Sequence, residues 1–163
     1  MTKLISIVSP VYGCSECLEE LYEKVKSAFP NNNLEWELIL VDDRGPDDPW
    51  STITKLSKID HRVKGIRLSK NSGQHMAIWV GLQNSNGDWV AVIDCDLQDD
   101  PSIIPELFST AIDQKVEAVI VNRGSWSDTW FRRAASRIFY NIVNLLAGVK
   151  LEIVNVPSET KDE

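Results

Sequence analysis

The sequence predicts an α/β fold with a mostly parallel central sheet and helices on both faces. Three observations carry this. Short apolar runs alternate with stretches of helical periodicity. Pro, Gly, Asn or Asp closes most of the runs. The acidic pairs fall where runs end, and open α/β sheets bind ligands beyond the carboxyl ends of their strands.

Each element follows in order. Residues 4–8 read as a buried strand, closed by Ser9-Pro10. Residues 15–29 have helical spacing, with Leu18, Leu21, Tyr22, Val25 and Ala28 on one face, and stop at Pro30 and an Asn turn. A second strand, 36–41, ends on Asp42-Asp43, and a short helix is expected over 50–57. Residues 63–68 form a third strand and 74–84 a helix, with Met76, Val80 and Gln83 near one another on a face. Asn86-Gly87 is a turn, and 89–93 is a fourth strand running into Asp94. Pro101 starts a helix to about Gln114, with Asp100 as its N-cap. Residues 118–121 are a fifth strand and 129–147 a last, long helix. Residues 1–148 are thus expected to form one domain, and 149–163 a polar, disordered tail.

Composition narrows the function. A net charge of -7 over 163 residues argues against non-specific nucleic-acid binding, which needs a basic surface. A nucleotide ligand stays compatible, because a metal ion neutralises a diphosphate locally. No stretch approaches the ~18–20 apolar residues that span a bilayer, and residues 4–8 are too short for a signal core, so the expected location is cytoplasmic. Three cysteines fit a reducing compartment better than a disulfide framework.

Four segments, 10–13, 42–45, 69–73 and 94–100, are expected to converge in one cleft. Asp94 and Asp96 stand two apart at a strand end, so alternation would point them to one side. Oxygen donors suit Mg²⁺ or Mn²⁺, and Mg²⁺ is commonly held by one or two carboxylates plus substrate phosphates. Gln98 adds an amide oxygen or a water-mediated contact. A solvated acidic loop is the plain alternative for Asp94 and Asp96 taken alone. Asp42 and Asp43 suit a ribose or a base N–H, or are simple turn residues. Tyr12 is placed to stack near a nucleobase or to pack in a turn. Neither the dinucleotide nor the P-loop glycine pattern occurs, which leaves hydride transfer and P-loop NTPase chemistry without support. Cys14-Ser15-Glu16-Cys17 sits where a thioredoxin-like pair would, and a thiol oxidoreductase is a remote alternative. Cys95, His61 and His75 lack the spacing of a zinc site.

Several stretches resemble family 2 glycosyltransferases, in particular the dolichol-phosphate mannose synthases and bacterial polyprenyl-phosphate glycosyltransferases. They are Ile7-Val8-Ser9-Pro10-Val11-Tyr12, Val41-Asp42-Asp43, Leu68-Ser69-Lys70-Asn71-Ser72-Gly73, Ala77 with Gly81-Leu82, Asn86-Gly87-Asp88, residues 94–101 with Pro105, and Arg132-Arg133 with Ser136, Phe139 and Tyr140. They keep the family's order over residues 4–148. The resemblance implies a GT-A fold and inverting transfer from a UDP- or GDP-sugar to polyprenyl phosphate or a glycan, in cell-surface glycan synthesis. It implies Asp94, Asp96 and Gln98 around the metal, with Asp96 the direct ligand. It places Pro10, Tyr12, Asp42 and Asp43 at the nucleoside, and Lys70 and Gly73 with the donor-binding residues. Arg123, Arg132 and Arg133 fall at basic positions near the diphosphate or an anionic acceptor. With Asp94 and Asp96, Arg123 is the candidate for stabilising charge on the leaving β-phosphate.

The chain departs from the family in two ways. Asp43 is followed by Arg44-Gly45 where the common pattern has Gly-Ser. The pattern also ends near Gly148, so a C-terminally shortened protein is expected, with a catalytically silent donor-binding module as the alternative to an active transferase. The apolar and basic residues of 129–147 allow peripheral contact with the inner face of a membrane, and a homo-oligomer is compatible with the sequence.

Overall fold

The computed structural model describes residues 3–30, 34–123 and the backbone of 151–156. They fall into two compact units, Met1–Pro105 and Glu106–Glu163. The expected helix at 129–147 and the residues of 157–163 lie outside the described residues.

The first unit holds β1 (Lys3–Val11), a 3-10 turn (Ser15–Cys17), α1 (Leu18–Ala28), β2 (Leu34–Asp42), α2 (Pro49–Ile59), β3 (Val63–Arg67), α3 (Gln74–Gln83), β4 (Trp89–Val92) and a second 3-10 turn (Pro101–Ile103). The unit boundary falls in the first turn of α4 (Ile104–Gln114). Four strands form one sheet in the order β3-β2-β1-β4, and every pairing is parallel. The chain therefore steps outward from β1 to β3, then returns to the other side of β1 with β4. That reversal makes a topological switch point between β1 and β4, where such sheets open a crevice at the carboxyl ends.

Helices cover both faces, as all-parallel sheets require. On one face Val8, Ile39, Val41 and Ala77 form a buried cluster that brings α3 onto β1 and β2. On the other, Gly65, in register with Leu40, backs onto Ile53 and Trp50 of α2. The buried stripe of α1 is Leu18, Leu21, Tyr22 and Val25, as its periodicity predicts.

Several boundaries differ from expectation for physical reasons. β1 runs through Pro10 to Val11 rather than closing at Ser9-Pro10. The β1–β4 ladder stops at Val8↔Val92, so Pro10 lies where only β2 needs a partner and its missing N–H breaks nothing. The helix expected from Ser15 opens as a 3-10 turn before α1. Pro101 likewise opens a 3-10 turn, and the Asp100 carboxylate caps it by accepting from Ser102 N at 2.9 Å. The buried face of α3 is made by small residues, with Val80 partly buried against the same cluster. Met76 is 49% exposed, and Ala77 and Gly81 are buried instead. Small residues let the helix backbone approach the sheet, and a Cβ at Gly81 would overlap Val8 Cγ1. In the second unit, β5 (Ala118–Arg123) pairs in parallel with β6 (Leu151–Val156). Six residues of the supposed tail are thus a strand. Leu-Glu-Ile-Val-Asn-Val has the β-branched content that a strand favours.

A buried polar clasp fixes the turn before β4. Glu37 accepts from Ser6 Oγ at 2.6 Å and Asn86 N at 2.7 Å, and pairs with Lys64 Nζ at 2.6 Å. Ser6 Oγ in turn accepts from Gly87 N at 2.8 Å. Burial alone would push the Glu37 carboxyl up, but the bonds from Lys64, Ser6 and Asn86 outweigh it and hold it below its ordinary value. A depressed carboxylate stabilises the fold above its unfolded pKa, about 4.3, and that stability is lost as pH falls through the folded value. Glu37→Gln should therefore cost about 1–3 kcal/mol near neutral pH and reduce the acid sensitivity of the urea midpoint. A midpoint with unchanged pH dependence would contradict this role. Gly81→Ala should cost about 1–3 kcal/mol by overpacking against Val8, read from the same titration.

Candidate active site

The crevice at the switch point is built from the segments that follow β1, β2, β3 and β4, and hydrogen bonds link them. After β4, Ile93 N still donates to Val8 O at 3.1 Å, but the strand has ended. The chain then turns, with Leu97 in the left-handed region at φ 64. Asp96 Oδ1 accepts from Gln98 N at 3.1 Å across that turn. Asp94 and Asp96 are thus not placed by strand alternation, as the sequence suggested. The turn places them, because pairing stops two residues before Asp94. Asp94 is half-buried, and its Oδ1 accepts from Gln74 Nε2 at 2.8 Å. Asp96 and Gln98 are exposed.

The segment after β2 is held from within. Asp42 is 0% exposed; its Oδ1 accepts from Arg44 N at 2.9 Å. The Arg67 Nε lies 2.9 Å from Asp42 Oδ2, an ion pair whose angle does not make it a hydrogen bond. Asp43, 3% exposed, accepts from Ser72 N at 2.7 Å and from Gly73 N at 2.9 Å, one bond to each oxygen. It staples the loop after β3 to the end of β2. Gly73 has φ 88, a left-handed conformation that suits glycine, and it opens α3 so that Gln74 reaches Asp94. Arg44 also sits in the left-handed region, at φ 59, where the common family pattern carries glycine. Its Nε donates to Leu68 O at 2.9 Å, a second tie between the two loops.

The turn after β1 completes the set. Cys14 Sγ donates to Cys95 O at 3.3 Å, joining it to the acidic loop. Ser15 N donates to Asp47 Oδ2, joining it to the segment after β2. Tyr12 is 55% exposed, Pro10 is buried within β1, and Lys70 is exposed. Arg123 ends β5 in the second unit, and Arg132 and Arg133 lie outside the described residues. Gln74, Arg67 and Cys14 were not singled out for these roles. No spacing in the sequence announces that Gln74 meets Asp94, 20 residues on.

Two carboxylates and an amide in one loop form an all-oxygen donor set. Among the described residues no group of three or more His, Cys, Asp or Glu is arranged to hold a metal. Carboxylate and amide oxygens are the donor types that a hard cation takes together with water and phosphate oxygens. The thiols fit a redox catalyst less well. Burial pushes Cys14 up, and the hydrogen bond with Cys14 together with burial raises Cys17 to about 11. A rapid redox catalyst draws on a thiol with a depressed value, so any exchange at these thiols is slow. Among the described residues no helix is long and apolar enough to cross a membrane.

Comparison with known proteins agrees with this architecture. The family model described as glycosyl transferase family 2 matches residues 6–159. An undecaprenyl-phosphate 4-deoxy-4-formamido-L-arabinose transferase of Proteus mirabilis is 36% identical over 145 residues, 88% of this chain and 44% of that protein. The protein of the same name in Aeromonas hydrophila is 34% identical over 150 residues, 91% of this chain and 46% of its own length. The chain therefore spans a little under half the length of these curated relatives. Among solved structures, S. aureus TarS in complex with UDP superimposes with a TM-score of 0.59 at 22% identity, covering 79% of this chain and 38% of that one. The mannosyltransferase PcManGT of Pyrobaculum calidifontis, in complex with GDP-Man and Mn2+, gives 0.62 at 18%, covering 88% and 39%. The fold is GT-A, and the chain belongs to glycosyl transferase family 2.

Proposed function

We propose that this chain carries the donor-binding part of an inverting glycosyltransferase that moves a sugar from a UDP- or GDP-sugar to polyprenyl phosphate. The observation that carries the reading is the Asp94–Asp96 turn at the β1/β4 switch point, braced by Gln74. The names of the curated relatives support the acceptor, and the UDP and GDP-Man complexes of the structural neighbours support the donor class.

Asp94, Asp96 and Gln98 would hold Mg²⁺ or Mn²⁺, with Asp96 as the direct ligand. When bound, that ion supplies positive charge against the diphosphate that leaves. Gln74 keeps Asp94 turned into the crevice. The exposed ring of Tyr12 offers a stacking face for the base, with Pro10 behind it. Asp42 and Asp43 are buried, so they would act on the nucleoside through the loops they hold, Asp42 through Arg44 and Asp43 through Ser72 and Gly73. Asp43 also sets the position of Gly73 and hence of the α3 start. By the family resemblance alone, Lys70, Arg123, Arg132 and Arg133 would serve the diphosphate or the acceptor's phosphate, where guanidinium forks match two oxygens at once.

The reaction needs no general base with this acceptor. A phosphate oxygen, already anionic, attacks the anomeric carbon on the face opposite the nucleotide. The bond to the nucleoside diphosphate breaks and takes its electron pair. A lipid acceptor places the work at the inner face of a membrane, in cell-envelope glycan synthesis.

UDP or GDP at about 100 times its Kd, with Mn²⁺, should stabilise the fold by about 2.7 kcal/mol and raise the Tm by about 5–10 °C. Asp96→Ala should abolish the metal-dependent part of that shift; a full shift in the variant would remove Asp96 from the metal site. Gln74→Ala should weaken Mn²⁺ binding about 10-fold without unfolding the chain, read by calorimetry, as loss of an outer partner of a metal ligand does. Transfer is tested with radiolabelled UDP- and GDP-sugars and undecaprenyl phosphate. Donor binding with no labelled lipid product would confine the chain to binding.

A further inference from the structure

All three cysteines of the chain lie where the turn after β1 meets the acidic loop. Cys14 opens the first 3-10 turn and Cys17 closes it, and Cys17 N donates to Cys14 O at 3.2 Å. Such a bond defines a four-residue turn whose end Cα atoms lie within about 7 Å. A disulfide usually bridges Cα atoms about 4.4–6.8 Å apart, a range that such a turn overlaps. Both thiols are free and partly exposed. Cys95 differs, being 7% exposed, and it offers Cys14 its backbone carbonyl. Its neighbours in sequence are Asp94 and Asp96.

We propose that Cys14 and Cys17 are a reversible disulfide pair, closed by exchange with a small-molecule disulfide, and that closure releases the acidic loop at Cys95. The first thiolate attacks one sulfur of the small disulfide. A mixed disulfide forms and one small thiolate leaves. The second cysteine thiolate then attacks the protein sulfur of that mixed disulfide, and a second small thiolate leaves. Two protein thiols are oxidised, one small disulfide is reduced to two thiols, and the two protons pass to those thiols. Oxidised Cys14 has no S–H, so the bond to Cys95 O is lost while its acceptor stays in place. The loop that carries Asp94 and Asp96 then loses this side-chain tie to the turn after β1, and only the Tyr12 backbone contact with Cys95 remains of the two. The inference is independent of the sugar-transfer reading, because it concerns only the thiols and the loop they touch.

The test incubates the full chain with excess oxidised glutathione for hours, the time scale of uncatalysed exchange. The protein is then unfolded, alkylated and mapped by mass spectrometry. The expected product has Cys14 linked to Cys17 and Cys95 alkylated, and dithiothreitol restores three alkylatable thiols. Amide hydrogen exchange over 94–98 should be about threefold faster in the oxidised chain, as loss of one weak hydrogen bond allows. Cys17→Ser should instead stop at a glutathione adduct on Cys14. Three free thiols after oxidation, an adduct alone in the unaltered chain, or a bond that includes Cys95 would overturn the pairing. Unchanged exchange over 94–98 in a correctly linked product would overturn the release of the loop.

Discussion

β1 is hydrogen-bonded on both sides, to β2 over nine residues and to β4 over four, and the layout of the first unit follows from that. A parallel strand bonded on both edges is surrounded by covered sheet, so its side chains are mostly apolar, with Ser6 and Ser9 the buried polar exceptions. Ile5, Ile7, Val8 and Val11 are buried. Because β4 returns to the free side of β1, the connections on either side of it diverge, and a crevice opens at their carboxyl ends. The β4 ladder also stops short of the β1–β2 ladder. That difference leaves room for the chain to turn at Asp94–Gln98 instead of continuing as strand.

Polar contacts divide into two sets at opposite tasks. Glu37, Ser6, Lys64 and the amides of Asn86 and Gly87 hold the chain as it enters β4. Their loss would be a loss of stability. Asp43, Gly73, Gln74 and Asp94 form a relay across the crevice, from the end of β2 through the start of α3 to the acidic loop. Here stability and site geometry are the same contacts. Asp43 is nearly inaccessible and saturates two backbone amides, so its influence on a bound nucleotide passes largely through the loop that it shapes. The Arg44 backbone shows the same economy: a non-glycine residue in the left-handed region is tolerated because Asp42 accepts its N–H and Leu68 accepts from its side chain.

Strand runs, the Asp100 cap and the buried stripe of α1 were legible in the sequence, because each depends on neighbours within a few positions. The buried face of α3 was not. A stripe of large apolar residues is the usual sign of a core face, whereas here Ala77 and Gly81 are buried because the helix lies close against Val8 and Val41. β6 was missed for another reason. A six-residue run broken by Glu152 and Asn155, before a polar end, carries no sign of a partner, and its partner β5 lies far back in the chain.

The sequence by itself determined the α/β class, the family and the residue types of the acidic loop, since these rest on local periodicity and short motifs. Tertiary structure decided how that loop is used. The pair Asp94 and Asp96 was legible as a metal-binding candidate. That a turn and not a strand presents it, that Gln74 braces it and that Cys14 tethers it required the fold. The Gln74 and Cys14 contacts join positions separated by tens of residues, and the reversal of strand order at β1 brings them together.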